Sequence, residues 1–164
     1  MVVAVLSDTH IPERLKAVPD YLTPFLRGVD CILHAGDVVE WWVLEELSQF
    51  APVYAVCGNM DTPGVHSRLP ARRVVELEGV RIGLIHGHGS PEEAERMALT
   101  SFSQENVQVI VYGHSHRPLL VWQKNFLLLN PGSPTDRIFA PCLTLGRLEI
   151  ASGKVIRGEI IRLD

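Results

Sequence analysis

The chain has 164 residues, of which 46% are hydrophobic and 21% are charged, which is enough for one domain with a sizeable core. We therefore expect a single domain over residues 1–164, and the length excludes two independent catalytic domains. The net charge of -4, from 15 basic and 19 acidic residues, lacks the basic excess typical of nucleic-acid-binding proteins. Nucleic acid is therefore disfavoured as a partner.

The beginning of the chain and its cysteines predict a cytoplasmic protein. The first apolar segment, residues 1–6, ends at Ser7 and Asp8 and is far shorter than the roughly 20 apolar residues of a membrane span. We therefore expect neither secretion nor membrane insertion. The three cysteines form no CxxC pair, and their odd number suits buried thiols in a reducing compartment.

Short apolar runs alternate with helical patterns in the first two thirds of the chain. The runs are almost continuously apolar, as strands covered on both faces are, and comprise residues 2–6, 31–33, 53–56, 81–85 and 107–112. Helices are predicted over 39–50 and 91–102 and, more weakly because of Pro24, over 19–26. Ser90 is the predicted N-cap of the 91–102 helix. The alternation indicates an α/β fold.

The last third of the chain has a different pattern. Its apolar runs, residues 119–123, 126–129, 142–149 and 154–162, are separated by turns rather than by helices. Residues 72–78 and 80–85, divided by Gly79, predict a hairpin. These strands indicate a second sheet packed on the first.

Polar residues, including five of the seven histidines, gather directly after the predicted strands. The segments are Asp8-Thr9-His10, Gly36-Asp37, Gly58-Asn59-Met60-Asp61, His86-Gly87-His88 and Gly113-His114-Ser115-His116. Since open α/β sheets bind ligands at the carboxyl ends of their strands, we expect one shared site there. The glycines permit sharp turns and close backbone approach. Imidazole, carboxylate and amide donors without a cysteine suit Mn, Fe, Zn or Co.

These motifs, in this order, resemble the signature of the calcineurin-like metallophosphoesterases, and especially their small bacterial and archaeal phosphodiesterase branch. The resemblance extends from Met1 to the region of Ser133 and includes the segment Asn130-Pro131-Gly132-Ser133. It implies a four-layer αββα sandwich of two mixed sheets flanked by helices. It also implies a phosphodiesterase in which a water bridging two metal ions attacks phosphorus in line.

The resemblance assigns ligand roles to seven residues by position. One ion would be held by Asp8, His10 and His116, the other by Asn59, His86 and His114, and Asp37 would bridge them. Manganese is the first expectation for the two divalent ions, with zinc, iron, cobalt or nickel as alternatives. Two such ions exceed the charge of the two aspartates, so the site would attract phosphate although the whole protein is negative.

Residues around these ligands are predicted to act on the substrate. His88 is the candidate proton donor, and Asp61 is expected to orient a neighbouring ligand; we place both in the predicted catalytic set. The alternatives are a surface role for His88 and a turn-capping role for Asp61. Arg117 and Asn59 are predicted to contact a small phosphate-ester substrate.

Met60 departs from the family pattern, because many relatives have a histidine at this position that can protonate the leaving group. A methionine cannot donate that proton. We hypothesise that the enzyme either acts on esters with good leaving groups or recruits His88 or water as the acid.

Four other residues have simpler expectations. His34 is expected to be a buried, hydrogen-bonded histidine. His66 is expected to lie in a solvated Pro- and Gly-rich loop, with contact to substrate as the alternative. At least one of Trp41 and Trp42 should face the core, while the other could line a rim on which a base stacks.

Two alternatives to a small-molecule phosphodiesterase stay open. A protein-binding scaffold, of the kind represented by the retromer subunit of this superfamily, would have little or no hydrolytic activity, and Met60 favours it. The complete ligand set opposes it. A nuclease would use the same chemistry, but the composition predicts no basic groove. The sequence leaves homo-oligomerisation open.

Overall fold

Ten strands form two sheets in the middle of the molecule. The structure, a computed structural model, describes residues 1–164. In chain order the strands are β1 (Val2–Leu6), β2 (Cys31–His34), β3 (Val53–Ala55), β4 (Arg72–Leu77), β5 (Val80–Ile85), β6 (Val109–Tyr112), β7 (Leu119–Trp122), β8 (Leu127–Asn130), β9 (Thr144–Ala151) and β10 (Lys154–Arg162). The first sheet has the order β10-β9-β1-β2-β3 and the second β4-β5-β6-β8-β7.

The helices are mostly short. A 3₁₀ turn (Asp20–Leu22) leads into α1 (Thr23–Leu26) and is followed along the chain by α2 (Trp41–Ser48), α3 (Pro63–His66) and α4 (Pro91–Ser101). Ser90 caps α4 as predicted: its hydroxyl accepts a hydrogen bond from the Glu93 amide, and the Glu93 carboxylate accepts one from the Ser90 amide. The expectation of a loop at His66 is wrong, because Pro63 starts a one-turn helix there.

Three hydrophobic interfaces join four layers. Side chains such as Val5 and Leu84 fill the space between the two sheets. Helices α1, α2 and α3 cover the other face of the first sheet, where Leu47 is buried. Helix α4 covers the second sheet and buries Phe102 just beyond its end. The predicted αββα sandwich of two mixed sheets is confirmed. None of the helices combines the length and apolar character needed to cross a membrane.

Parallel pairing brings the carboxyl ends of the central strands to one edge. Strand β1 pairs in parallel with β2, β2 with β3, β5 with β6, and β6 with β8. The hairpin of β9 and β10 pairs antiparallel with β1, so it completes the first sheet. Assigning all late strands to a second sheet was therefore wrong, because local periodicity does not specify which open edge a hairpin joins.

Candidate metal centre

The segments after the parallel strands meet in one buried cluster. Ligand atoms of Asp8, His10 and His116 lie within 4.8 Å of one another, and so do those of Asp8, Asp37 and His86. All five residues are buried. The structure therefore places Asp8 in both groups, where the resemblance gave the shared position to Asp37.

Asn59 and His114 lie beside this cluster in a more exposed position. Oδ1 of Asn59 is 3.1 Å from Nδ1 of His114, whose Nε2–H donates to the carbonyl of Gly89 at 2.8 Å. The rings of His114 and His86 are 5.4 Å apart. Because Nε2 of His114 carries the proton that is donated to the Gly89 carbonyl, Nδ1 keeps a free lone pair on the side of Asn59.

The backbone is left-handed at five of the seven predicted ligands. The φ angles are 54° at Asp8, 45° at His10, 55° at Asp37, 70° at His114 and 54° at His116. Such conformations cost about 1–3 kcal/mol each in non-glycine residues and are concentrated at functional sites. Neighbouring contacts must therefore hold these turns in place.

Glycines allow the turns to pack closely, as predicted. Gly36 has a φ of 93°, and a Cβ there would lie 2.8 Å from Nδ1 of His86. A Cβ on Gly113 would lie 2.0 Å from the Ser7 hydroxyl oxygen. Any side chain at either position would therefore push apart the segments that carry the cluster.

Asp8 has one oxygen held by the protein and one turned into the cluster. Its Oδ2 accepts hydrogen bonds from the Ser7 hydroxyl at 2.6 Å and from the His114 amide at 3.0 Å. Its Oδ1 lies 3.2 Å from Nε2 of His116 and 3.8 Å from Nε2 of both His10 and His86. One carboxylate oxygen thus faces three imidazole nitrogens.

Asp37 is arranged in the same way against His86. Oδ1 of Asp37 accepts a hydrogen bond from the Met60 amide at 2.7 Å, while Oδ2 lies 3.1 Å from Nε2 of His86. Nδ1–H of His86 donates to the carbonyl of Ala35 at 2.7 Å, and its buried Nε2 has no hydrogen-bond partner. The lone pairs of Asp37 Oδ2 and His86 Nε2 face each other at this distance and repel unless a positive charge lies between them. These two atoms therefore fit the coordination of a divalent cation.

The electrostatics of the cluster favour the same conclusion. Burial alone would raise the pKa of Asp8, but the charge of His86 and the contacts with His10 and His116 outweigh burial and hold the pKa far below its usual value. Burial would lower the pKa of His86, yet the carboxylates of Asp8 and Asp37 raise it to about 9. Buried carboxylates thus stabilise positive charge at this point, whether a proton or a metal ion supplies it.

A segment that follows β8 supports the turn at Asp8 and the ring of His116. The Ser133 hydroxyl donates to the Asp8 carbonyl at 2.7 Å, and the Thr135 hydroxyl donates to the Thr9 carbonyl at 2.6 Å. Oδ2 of the buried Asp136 accepts from Nδ1–H of His116 at 2.5 Å. This bond fixes the His116 tautomer and leaves Nε2 free to bind a metal.

Asp136 is not among the residues predicted from the sequence, which indicates only the beginning of this segment. The resemblance includes Asn130–Ser133, and the side-chain Nδ2 of Asn130 does hold the motif turn by donating to the Gly113 carbonyl at 3.0 Å. The contact of Asp136 with His116 joins residues 20 positions apart. The only signal in the sequence was an acidic residue just after a turn that follows a strand.

Asp61, His88 and Arg117 have different surroundings. Oδ1 and Oδ2 of Asp61 accept hydrogen bonds from the amides of Val39 and Gly58, at 2.6 and 2.7 Å, so Asp61 holds the two ligand-bearing turns together. His88 is exposed and lines a cavity of about 260 Å³ that also touches Asn59. The catalytic roles of Asp61 and His88 stay predictions.

Arg117 lines a separate cavity of about 180 Å³ together with Glu92 and Glu95. Its backbone amide donates to the Ser115 hydroxyl at 3.3 Å. The structure thus gives this guanidinium acidic neighbours outside the cluster, and contact with substrate stays a prediction.

His34 and the tryptophans have structural surroundings. His34 is fully buried, with Nε2 3.1 Å from the Thr9 hydroxyl and Nδ1 accepting from the Gly36 amide at 3.2 Å, as expected. Trp41 and Trp42 both pack on the core beneath the helices. The Arg68 guanidinium covers the Trp41 ring at 4.8 Å. This packing does not favour a base-stacking role for Trp41 or Trp42.

The sequence matches a known family over most of its length. Residues 1–153 match the calcineurin-like phosphoesterase superfamily domain. The chain is 38% identical to a "probable metallophosphoesterase" of Methanothermobacter thermautotrophicus over 164 residues, covering 99% of this chain and 92% of that protein. It is also 38% identical to a "probable metallophosphoesterase" of Methanocaldococcus jannaschii, covering 82% of this chain and 69% of the relative.

A solved structure with the same fold comes from Entamoeba histolytica. It is Vps29 complexed with Zn²⁺, which matches with a TM-score of 0.78 and 26% identity over 100% of both chains. The similarity covers the complete fold.

Proposed function

The chain belongs to the calcineurin-like phosphoesterase superfamily, and from this premise we propose that it is a phosphodiesterase with two divalent metal ions at the cluster around Asp8 and Asp37. The observation that carries the proposal is the convergence of two ligand groups on the shared carboxylate of Asp8, with all side chains buried. Family membership supports metal-dependent phosphate-ester hydrolysis. The choice of a phosphodiester as substrate and the presence of a second ion go beyond family membership and belong to our proposal.

Seven side chains would hold the ions. They are the predicted set Asp8, His10, Asp37, Asn59, His86, His114 and His116. When bound, two divalent ions supply Lewis acidity that activates water and offsets the charge developing on the phosphoryl oxygens. Three of these side chains are oriented by hydrogen bonds that their rings donate. His86 donates to Ala35, His114 to Gly89 and His116 to Asp136.

The environment of the cluster sets the remaining roles. The exposed amide of Asn59 is available to a phosphoryl oxygen as well as to an ion. His88 lines the same cavity as Asn59 and would protonate a leaving group bound there. Met60, which is 47% exposed beside Asn59, cannot donate a proton. Arg117 would need to turn away from its acidic cavity to reach the substrate.

Manganese is the proposed ion, with zinc as the main alternative because a structural relative binds Zn²⁺. Nitrogen and oxygen donors suit both metals. Iron, cobalt and nickel would fit the same donors. We propose a cytoplasmic location and a small phosphate ester as substrate.

The test is hydrolysis of bis-p-nitrophenyl phosphate and p-nitrophenyl phosphate by metal-stripped protein supplied with Mn, Zn, Mg or no metal. We expect metal-dependent cleavage, faster for the diester, and none by the Asp37→Ala variant. Cleavage of the monoester alone would contradict the proposed phosphodiesterase activity. The absence of cleavage with every metal would contradict hydrolysis.

A protein-binding scaffold is the second candidate, and the similarity to Vps29 over the whole chain favours it. Folded protein that binds metal but hydrolyses neither ester would support the scaffold. Turnover that depends on the cluster would count against it, since a scaffold needs no acidified water.

A further inference from the structure

The two most exposed large apolar side chains of the protein are neighbours in the chain, and one of them lies next to the cluster. Ile138 and Phe139 are 70% and 69% exposed. The ring of Phe139 lies 6.5 Å from the ring of His116, at an interplanar angle of 74°. An aromatic ring open to solvent therefore stands beside a predicted metal ligand.

The loop that presents Phe139 is held by the carboxylate that orients His116. Oδ1 of Asp136 accepts hydrogen bonds from the amides of Ile138 and Phe139, at 2.8 and 3.3 Å, while its Oδ2 accepts from His116. Because one buried side chain holds both, the backbone that carries Phe139 is tied to the cluster. Exposing such a ring to water costs free energy unless a ligand covers it.

A guanidinium completes the surroundings of the ring. Arg14 lies over the Phe139 ring with its Cζ 5.7 Å from the centroid, and its Nε is 3.3 Å from Oδ1 of Asp136. A planar ligand beside Phe139 would thus meet an aromatic face and a positive charge, the combination that binds nucleobases and aryl phosphates.

We infer that Phe139, flanked by Arg14 and His116, forms a subsite for a planar aromatic group esterified to the phosphate bound at the cluster. This inference rests on the proposed function and narrows its substrate class to aryl or nucleobase-bearing phosphate esters. Two exposed side chains offer far less area than the roughly 800 Å² per partner of a stable protein interface. The area of one exposed aromatic ring is instead that needed to stack one planar group of a small ligand.

The experiment is calorimetric binding of phenyl phosphate and methyl phosphate to the Mn-loaded full chain. Wild type is expected to bind phenyl phosphate about tenfold more tightly, as stacking on one aromatic side chain predicts. Phe139→Ala should lose that preference, Phe139→Leu should lose most of it, and Phe139→Trp should keep it. Trp122→Ala, which removes another exposed aromatic ring from a different cavity, should not change it.

The possible failures are distinct. An undiminished preference for phenyl phosphate in Phe139→Ala, with bis-p-nitrophenyl phosphate still cleaved, overturns the subsite and leaves the proposed function standing. Binding of neither ester to Mn-loaded wild type, without diester cleavage, overturns both. Circular dichroism of each variant checks the fold, which an exposed ring should not affect.

Discussion

The two halves of the cluster are built differently. The closed half, consisting of Asp8, His10 and His116, is buried and is supported by hydrogen bonds from Ser133 to the Asp8 carbonyl and from His116 to Asp136. The open half consists of Asn59, His86 and His114; His86 is buried and held by the carbonyl of Ala35, but Asn59 is exposed and His114 is half-buried.

The difference in support predicts a difference in metal binding. Donors that the protein already holds lose little conformational freedom when an ion binds, whereas mobile donors must be ordered first. His114 is held by the carbonyl of Gly89, which lies in an exposed turn. The closed half should therefore bind its ion first, and the open half should adjust to the second ion and to substrate.

The largest effect is expected from Asp37→Ala, which removes a buried carboxylate that contacts both halves, 3.6 Å from His10 and 3.1 Å from His86. Lewis-acid stabilisation is worth several kcal/mol, so hydrolysis of bis-p-nitrophenyl phosphate should fall by about a thousandfold or more. Metal analysis should show fewer ions per chain. Wild-type turnover in this variant would remove Asp37 from the site.

The next effect concerns His34, which lies beneath the cluster. Burial lowers its pKa from 6.5 to about 4, so the folded protein binds this proton more weakly than the unfolded chain does. The stability from neutral His34 is present above pH 6.5 and is lost as pH falls towards 4. Between pH 7 and pH 4 the loss is about 3 kcal/mol of unfolding free energy.

Denaturant unfolding of metal-free protein measures this loss. The His34→Gln variant, which cannot take up the proton, should lose about 3 kcal/mol less than wild type over that interval. Equal losses in the two proteins would show that His34 is not the titrating group.

Asp136→Asn tests the support of the closed half. Removing the charge that orients His116 should weaken binding of the first ion by roughly 10- to 100-fold, as loss of such partners typically does. Manganese titration measures this affinity. Asp164→Asn, which changes a carboxylate outside the cluster, should bind like wild type. A selective loss of the second ion in Asp136→Asn would contradict the assignment of Asp136 to the closed half.

The smallest effect is expected at the open half from Met60→His. The side chain is 47% exposed while its amide is fixed to Asp37, so a histidine fits without repacking. A proton donor there should raise turnover of simple alkyl phosphates several-fold and that of p-nitrophenyl esters less, because nitrophenolate needs little protonation. Unchanged rates with both ions bound would refute the role assigned to this position.

The sequence predicts the strands and the positions of the candidate ligands, because each candidate follows a strand within a few residues. Asp8, Asp37 and His86 are examples. It did not predict Asp136, whose contact with His116 depends on how the segment after β8 folds back. Nor did it predict Phe139 as the exposed ring near the site; a stacking role was considered instead for Trp41 or Trp42.

The same limit explains the errors in the fold. The strands of the last hairpin were predicted, but their sheet was not, because pairing of β9 with β1 depends on an edge far away in sequence. Helix α3 is one turn long and has no hydrophobic periodicity to detect. Local patterns thus predicted the longer elements and missed the one-turn helix α3, while contacts between distant residues decided the arrangement around the site.

Anomalous diffraction at the manganese edge, from crystals soaked in limiting and then excess Mn²⁺, shows directly which half of the cluster binds its ion first. With limiting metal we predict one peak among Asp8, His10 and His116, and with excess metal a second peak beside His86, His114 and Asn59. Filling of the open half first would contradict the predicted order of binding, and a single peak at every concentration would contradict the second ion.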